Sequence, residues 1–161
     1  MNGEREAATI VVFSGELDRA LAAFNIATTA ASMGMEVTMF FTFWGLNVVR
    51  KDGGGGGEKV WLQRMLGLLN RGGLRRLPLS RLHMLGGGKV AMKALMRRFR
   101  MPSLEEMIPL AKELGVRFIA CTTSMALTGL GEKDFIPEVD AFAGAATYVG
   151  QASRSAINLF I

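Results

Sequence analysis

The chain has 161 residues, 50% of them hydrophobic, 20% charged and 8% aromatic, enough for one domain with a core of its own. Its mean hydropathy is high, at +0.27. Even so, the longest uncharged run, Ala20 to Met35, carries Asn25, Thr28, Thr29 and Ser32, so no segment reads as a spanning helix. The opening MNGEREAA is acidic where a secretory signal is basic, and no apolar stretch with a cleavage site follows, which predicts a cytoplasmic globular domain. The net charge of +5 is unevenly spread. Thirteen Lys/Arg between Arg50 and Arg100 face only Asp52 and Glu58, a local +11 that leaves −6 for the rest. Such a split predicts a surface for something acidic.

The β-branched run TIVVFSG (9–15) predicts a buried parallel strand ending at a turn. A helix follows over Glu16–Met33, with Leu17, Leu21, Phe24, Thr28 and Ala31 as its buried stripe and Gly34 as its stop. EVTMFFTFW (36–44) predicts a second strand, closed by Gly45. Residues 50–101 form a basic, Gly- and Met-rich insertion, with glycine runs at 53–57, 72–73 and 86–88 and helical stretches near Lys59–Leu69 and Val90–Arg100. PSLEEMIPLAKELG (102–115) has a capping box, Ser103 with Glu106, and a glycine stop, with Pro109 expected to kink or shorten the helix. VRFIAC (116–121) predicts a third strand. A helix near Ser124–Leu130, a strand at 140–146, a short helix from Tyr148 and a strand at 156–161 complete the pattern. Alternating strands and helices predict one domain over 1–161, an α/β sheet of five mostly parallel strands with helices on both faces. Ligands of such sheets gather beyond the carboxyl ends of the strands, which is where Ser14-Gly15, Phe43-Trp44-Gly45 and Cys121 fall.

Cys121 is the only cysteine and His83 the only histidine. Disulfides, CxxC pairs, thiolate clusters and His-rich metal sites are therefore excluded, and no cofactor is expected. Leu127 stands where a phosphatase Cys-x5-Arg loop needs arginine, and Ser124 where a thioredoxin pair needs cysteine. Lys89 is followed by Val90 and preceded six places back by His83, so the phosphate-loop pattern fails; Asp134 breaks the dinucleotide fingerprint begun by Gly129 and Gly131. Cys121 has two readings. At a strand end followed by Thr122, Thr123 and Ser124, it sits where helix amides lower a thiol's pKa and cradle a thiolate or persulfide. Free cysteines are also commonly buried and inert.

In Lys89–Met101, helical spacing puts Lys89, Lys93, Arg97 and Arg100 on one face and Met92, Leu95, Met96 and Phe99 on another. Such a helix suits an acidic partner, an anionic membrane surface or packing on its own domain. Few aromatics interleave with these cations, so nucleic acid is not an expected partner. His83 reads as a solvent- or partner-facing side chain.

Three stretches, 11–51, 102–130 and 139–161, resemble the DsrE/DsrF sulfur-relay family, in particular its DsrE2-like branch. The most specific pieces are FFTFWG (40–45) and the C-x-x-S-M step from Cys121 to Met125. The resemblance implies a flavodoxin-like doubly wound domain, usually oligomeric, and a cysteine, here Cys121, that accepts sulfane sulfur as a persulfide and hands it on. Ser14, Gly15, Trp44 and Ser124 are then expected to line the site, with the Thr122 and Thr123 amides stabilising the anion. TusA-like or rhodanese-like sulfur carriers are the implied partners. Some DsrE2 relatives span the membrane in the region matching the insertion; the charges here limit any membrane contact to a peripheral one. Part of the family carries sulfur or assembles complexes without turnover, so enzymatic activity is left open. The rival reading is a non-catalytic binding module that docks through the basic Met-rich helix. A third, a small-molecule pocket where the strand order reverses, rests on fold analogy alone.

Overall fold

A computed structural model of the chain describes residues 6–52, 73, 77–79 and 87–161, with side chains described outside 87–90 and 93. Strands β1 (Ala7–Val12), β2 (Glu36–Phe41), β3 (Arg117–Cys121), β4 (Ala141–Ala143) and β5 (Ile157–Phe160) form one sheet in the order β4-β3-β2-β1-β5. Every neighbouring pair is parallel. Parallel neighbours need long crossovers, and these carry helices α1 (Leu17–Ser32), α2 (Gly87–Arg98), α3 (Leu104–Glu113), α4 (Thr122–Thr128) and α5 (Ala145–Ala152). The chain steps outward from β1 to β4 and then returns across the sheet to place β5 beside β1. With right-handed crossovers, that return puts the last helix on the opposite face. Accordingly α1 and α3 pack together, while α5 reaches β1 from the other side and lays Tyr148 on Phe40. The molecule is the doubly wound α/β domain that the pattern predicts.

Strand periodicity divides the apolar residues between two unequal cores. Ile10, Val12, Met39, Phe41, Phe118 and Ala120 face α1 and α3 and belong to the large cluster. Phe24 of α1 meets Phe118 edge-on there, with ring centroids 5.5 Å apart. Truncating so buried a ring costs about 3–5 kcal/mol. The alternate residues Phe40, Ile119 and Cys121 face α5 and form a small cluster closed by Ala141, Ala143 and Tyr148. Cys121 therefore lies on the thinly covered side, under a helix with no buried residue of its own.

Several local expectations need correction. In α1, Leu17, Phe24 and Thr28 are buried as expected, but Leu21 and Ala31 are only partly so; Ala20, Ala23, Ala27 and Ala30 complete the stripe. Small side chains let the helix settle close to the sheet. The second strand stops at Phe41, and Phe43–Val48 is a 3-10 helix, because Phe43 adopts φ +46, which no strand continues through. Helix α3 keeps its capping box, with the Ser103 N–H donating to Glu106 Oε2 at 2.7 Å. It runs through Pro109 unbroken, its face of Leu104, Met107, Ile108 and Ala111 held in the core. Helix α4 begins at Thr122, directly after the strand, and α5 begins at Ala145, after a strand of only three residues. Among the described parts of the insertion, Leu77 and Leu79 are buried in the large core, Met96 is buried as well, and Arg50 forms an antiparallel bridge with Phe135. The pentaglycine, the Lys59–Leu69 helix and His83 lie outside the described residues.

Candidate functional site

The carboxyl ends of β1, β2 and β3 carry the residues singled out in the sequence, and the structure sorts them into two places. The first is Cys121, last residue of β3 and N-cap of α4. It is only 4% exposed, as the buried one of its two sequence readings has it; the sheet register places it opposite Ala143 of β4, beneath the α5 side. The Thr42 and Ser124 hydroxyls lie 2.8 Å apart in a buried contact just beyond the strand ends. Thr42 was not recognisable in the sequence as part of this site, because it comes from the neighbouring strand and its hydroxyl type carries no motif.

Burial is the largest influence on the thiol and opposes its ionisation. Hydrogen bonding outweighs it: the Ser124 and Thr123 backbone N–H groups, with the linked Ser124 and Thr42 hydroxyls, hold the Cys121 pKa below its ordinary value. The two hydroxyls also relay. Whichever accepts the other's proton keeps its own to give to sulfur. Thr122 lies one step out, exposed, with Oγ1 facing Gly144 at the start of α5. Thr123 contributes through its amide, as the sequence reading expects, and Ser124 is 2% exposed.

The second place is a crevice of about 410 Å3 beyond β1, lined in part by Ser14, Gly15 and Trp44. Cys121 is not among its lining residues; in a sheet with β2 between them, the ends of β1 and β3 stand two strand spacings, roughly 10 Å, apart. Close backbone approaches build this crevice. A Cβ on Gly45 would meet the Val12 carbonyl oxygen at 1.9 Å, and one on Gly15 the Trp44 oxygen at 2.6 Å. Glycine is thus required at both. The left-handed Phe43 turn leads into Trp44, which stays 44% exposed. Glu16 and Arg19, which the sequence reading did not single out, form an ion pair here, Nε to Oε2 at 2.8 Å. The Ser14 hydroxyl donates to the same Glu16 carboxylate at 2.9 Å.

The basic helix divides differently from its expected faces. Met96 is buried and Met92 half-buried, while Leu95 and Phe99, one turn apart on the outer side, are 51% and 70% exposed beside exposed Arg97, Arg98 and Arg100. Among the described residues, no cluster of His, Cys, Asp and Glu could hold a metal ion, and no helix is long and apolar enough to cross a membrane.

Comparison with known proteins adds to this geometry. Residues 4–160 match the model of the DsrE/DsrF/DrsH-like family. The uncharacterised protein YrkE of Bacillus subtilis is 38% identical over 161 residues, covering all of both chains. The sulfur carrier protein DsrE2 of Allochromatium vinosum is 33% identical, covering 98% of this chain and 99% of its own. Among solved structures, the ychN protein of E. coli superposes with a TM-score of 0.57 at 10% identity, covering 97% of this chain and 99% of that one. MTH1491 of Methanobacterium thermoautotrophicum, a protein of unknown function, gives 0.52 at 14% identity with the same coverage. The two structures share the fold. By the match of nearly its whole length and by its identity to full-length relatives, the chain belongs to the DsrE/DsrF/DrsH-like family.

Proposed function

We propose that the protein is a cytoplasmic sulfur-relay protein carrying sulfane sulfur as a persulfide on Cys121. The observation that carries this reading is the set of donors that favours a thiolate at a buried sulfur. Burial alone would make the thiol inert. In the proposed step the Cys121 thiolate attacks the outer sulfur of a donor persulfide. A new bond forms at Sγ, the donor's S–S bond breaks, and the donor departs as a thiolate, with no oxidant consumed. The Thr123 and Ser124 amides and the Ser124 and Thr42 hydroxyls then stabilise the outgoing charge, and the Thr122 turn borders the approach. Transfer to a partner thiol is the same exchange in reverse. Ser14, Gly15 and Trp44 would hold the non-reacting part of the donor or partner. A homo-oligomer and acceptors of the TusA-like or rhodanese-like kind fit the family, as does the relative named as a sulfur carrier. Mixing the sulfur-loaded protein with a single-thiol acceptor protein tests the relay: sulfur should move to the acceptor, and retention on Cys121 against excess acceptor thiol contradicts it.

A second reading has an observation of its own. Cys121 is buried and Leu95 and Phe99 are exposed beside three arginines, which is what a binding module docking on an anionic surface needs. Salt-sensitive cosedimentation with anionic vesicles, lost in Leu95→Ala/Phe99→Ala, would favour it; absence of binding at low salt removes its membrane form.

A further inference from the structure

The crevice beyond β1 has the chemistry of a recognition site. Its walls join aromatic and apolar surface, from Phe13, Trp44 and Pro78, to one carboxylate and one guanidinium, Glu16 and Arg19. About 410 Å3 lies within the usual range of small-ligand pockets. Strand order reverses here, since β1 has the second strand on one side and the last on the other, and open α/β sheets bind ligands at such points. Backbone strain points the same way. A bulky aromatic, Phe43, is held at φ +46, and strain of this kind persists where surrounding structure enforces it, often at ligand sites.

Glu16 and Arg19 pair within the crevice, 2.8 Å apart and both partly exposed, with the Ser14 hydroxyl also donating to Glu16. A ligand carrying an ammonium and a carboxylate on one carbon can replace both partners at once, leaving neither charge unpaired. A ligand with a single charge would engage only one of them. We propose that this crevice binds the amino-acid zwitterion at one end of a short peptide thiol, ammonium to Glu16 and carboxylate to Arg19, with its apolar body against Trp44. The ligand's identity as sulfur donor rests on the relay reading above; its binding does not. From the end of β1 to the end of β3 is roughly 10 Å, about three extended residues. A peptide thiol of two or three residues is long enough to span that separation.

The test uses the full chain with Cys121→Ser, which removes the chemistry, and Trp61→Phe, which leaves Trp44 as the fluorophore; ligand-observed NMR on the Cys121→Ser chain serves if the double variant does not fold. The probes are glutathione, its N-acetyl form without the ammonium, and 4-aminobutyryl-cysteinylglycine without the α-carboxylate. Glutathione should give a saturable change, with each truncated thiol binding at least tenfold more weakly. Glu16→Gln should erase discrimination against the N-acetyl form, and Arg19→Gln discrimination against the decarboxylated one. Equal binding of all three, or no saturation at millimolar glutathione, overturns the proposal. If Cys121 loads from inorganic polysulfide while the crevice ignores all three thiols, the crevice proposal alone falls. If glutathione binds and Cys121 never loads, the relay alone falls.

Discussion

Two sites stand at the same edge of one sheet, built by opposite means. At the end of β3 everything converges on one buried sulfur: amides, hydroxyls and the underside of α5. At the end of β1 the crevice is open, aromatic and charged, and its shape depends on two glycines pressed against backbone carbonyls. The first is suited to holding a reactive anion away from water, the second to gripping something large enough to need shape. The difference teaches that reactivity and recognition need not share a pocket. Strand ends roughly 10 Å apart can divide them, with the sheet fixing the distance.

Breaking the crevice should have the largest effect. Gly45→Ala would drive a methyl to 1.9 Å from the Val12 carbonyl, and the backbone shift it forces should cost about 3 kcal/mol. Urea unfolding measures this, and a loss within experimental error would mean the close approach is relaxed in solution. At the sulfur the effects should be on rate. Tyr148→Ala removes the ring that closes the Cys121 cluster. Losing one or two kcal/mol of α5 docking should raise the alkylation rate of Cys121 roughly 5- to 30-fold, whereas an unchanged rate would mean α5 does not control access.

Ser124→Ala removes a hydroxyl donor and should raise the Cys121 pKa, leaving less thiolate at neutral pH. The sign follows from the direction of the shift. Because the wild-type pKa is lowered, alkylation should stay fast to a lower pH than for a free thiol and fail only as pH falls through that lowered value. The variant's pH–rate curve should move to higher pH; coincident curves would remove Ser124 from the site. The smallest effect is Gly150→Ala, in the body of α5 with open space around the added methyl. It should stabilise by about 0.5–1 kcal/mol and slow alkylation slightly, so that a faster reaction would separate the stiffness of α5 from access to the thiol.

Much of the fold was legible because its signals are local. Apolar β-branched runs marked β1 and β3, Ser103 with Glu106 marked the start of α3, and Gly34 and Gly115, both at positive φ, marked two helix ends. Cys121 stood out by being alone. What escaped was set by contacts distant in sequence. FFTFW carries strand propensity through Trp44, and only the tertiary demand on Phe43 and Gly45 ends β2 at Phe41. Thr42 becomes a partner of the sulfur only when β2 pairs with β3. Glu16 and Arg19 read as ordinary first-turn charges until the crevice forms beside them. The burial of Cys121 depends on Tyr148 returning over the sheet, which no spacing in the chain announces.

The most direct measurement is the intact mass of the protein after brief exposure to polysulfide, alongside Cys121→Ser shown to be folded by circular dichroism. The account predicts a gain of one sulfur, about 32 Da, reversed by reductant and absent in the variant. No adduct on the folded wild-type protein, or the same adduct on Cys121→Ser, would contradict it.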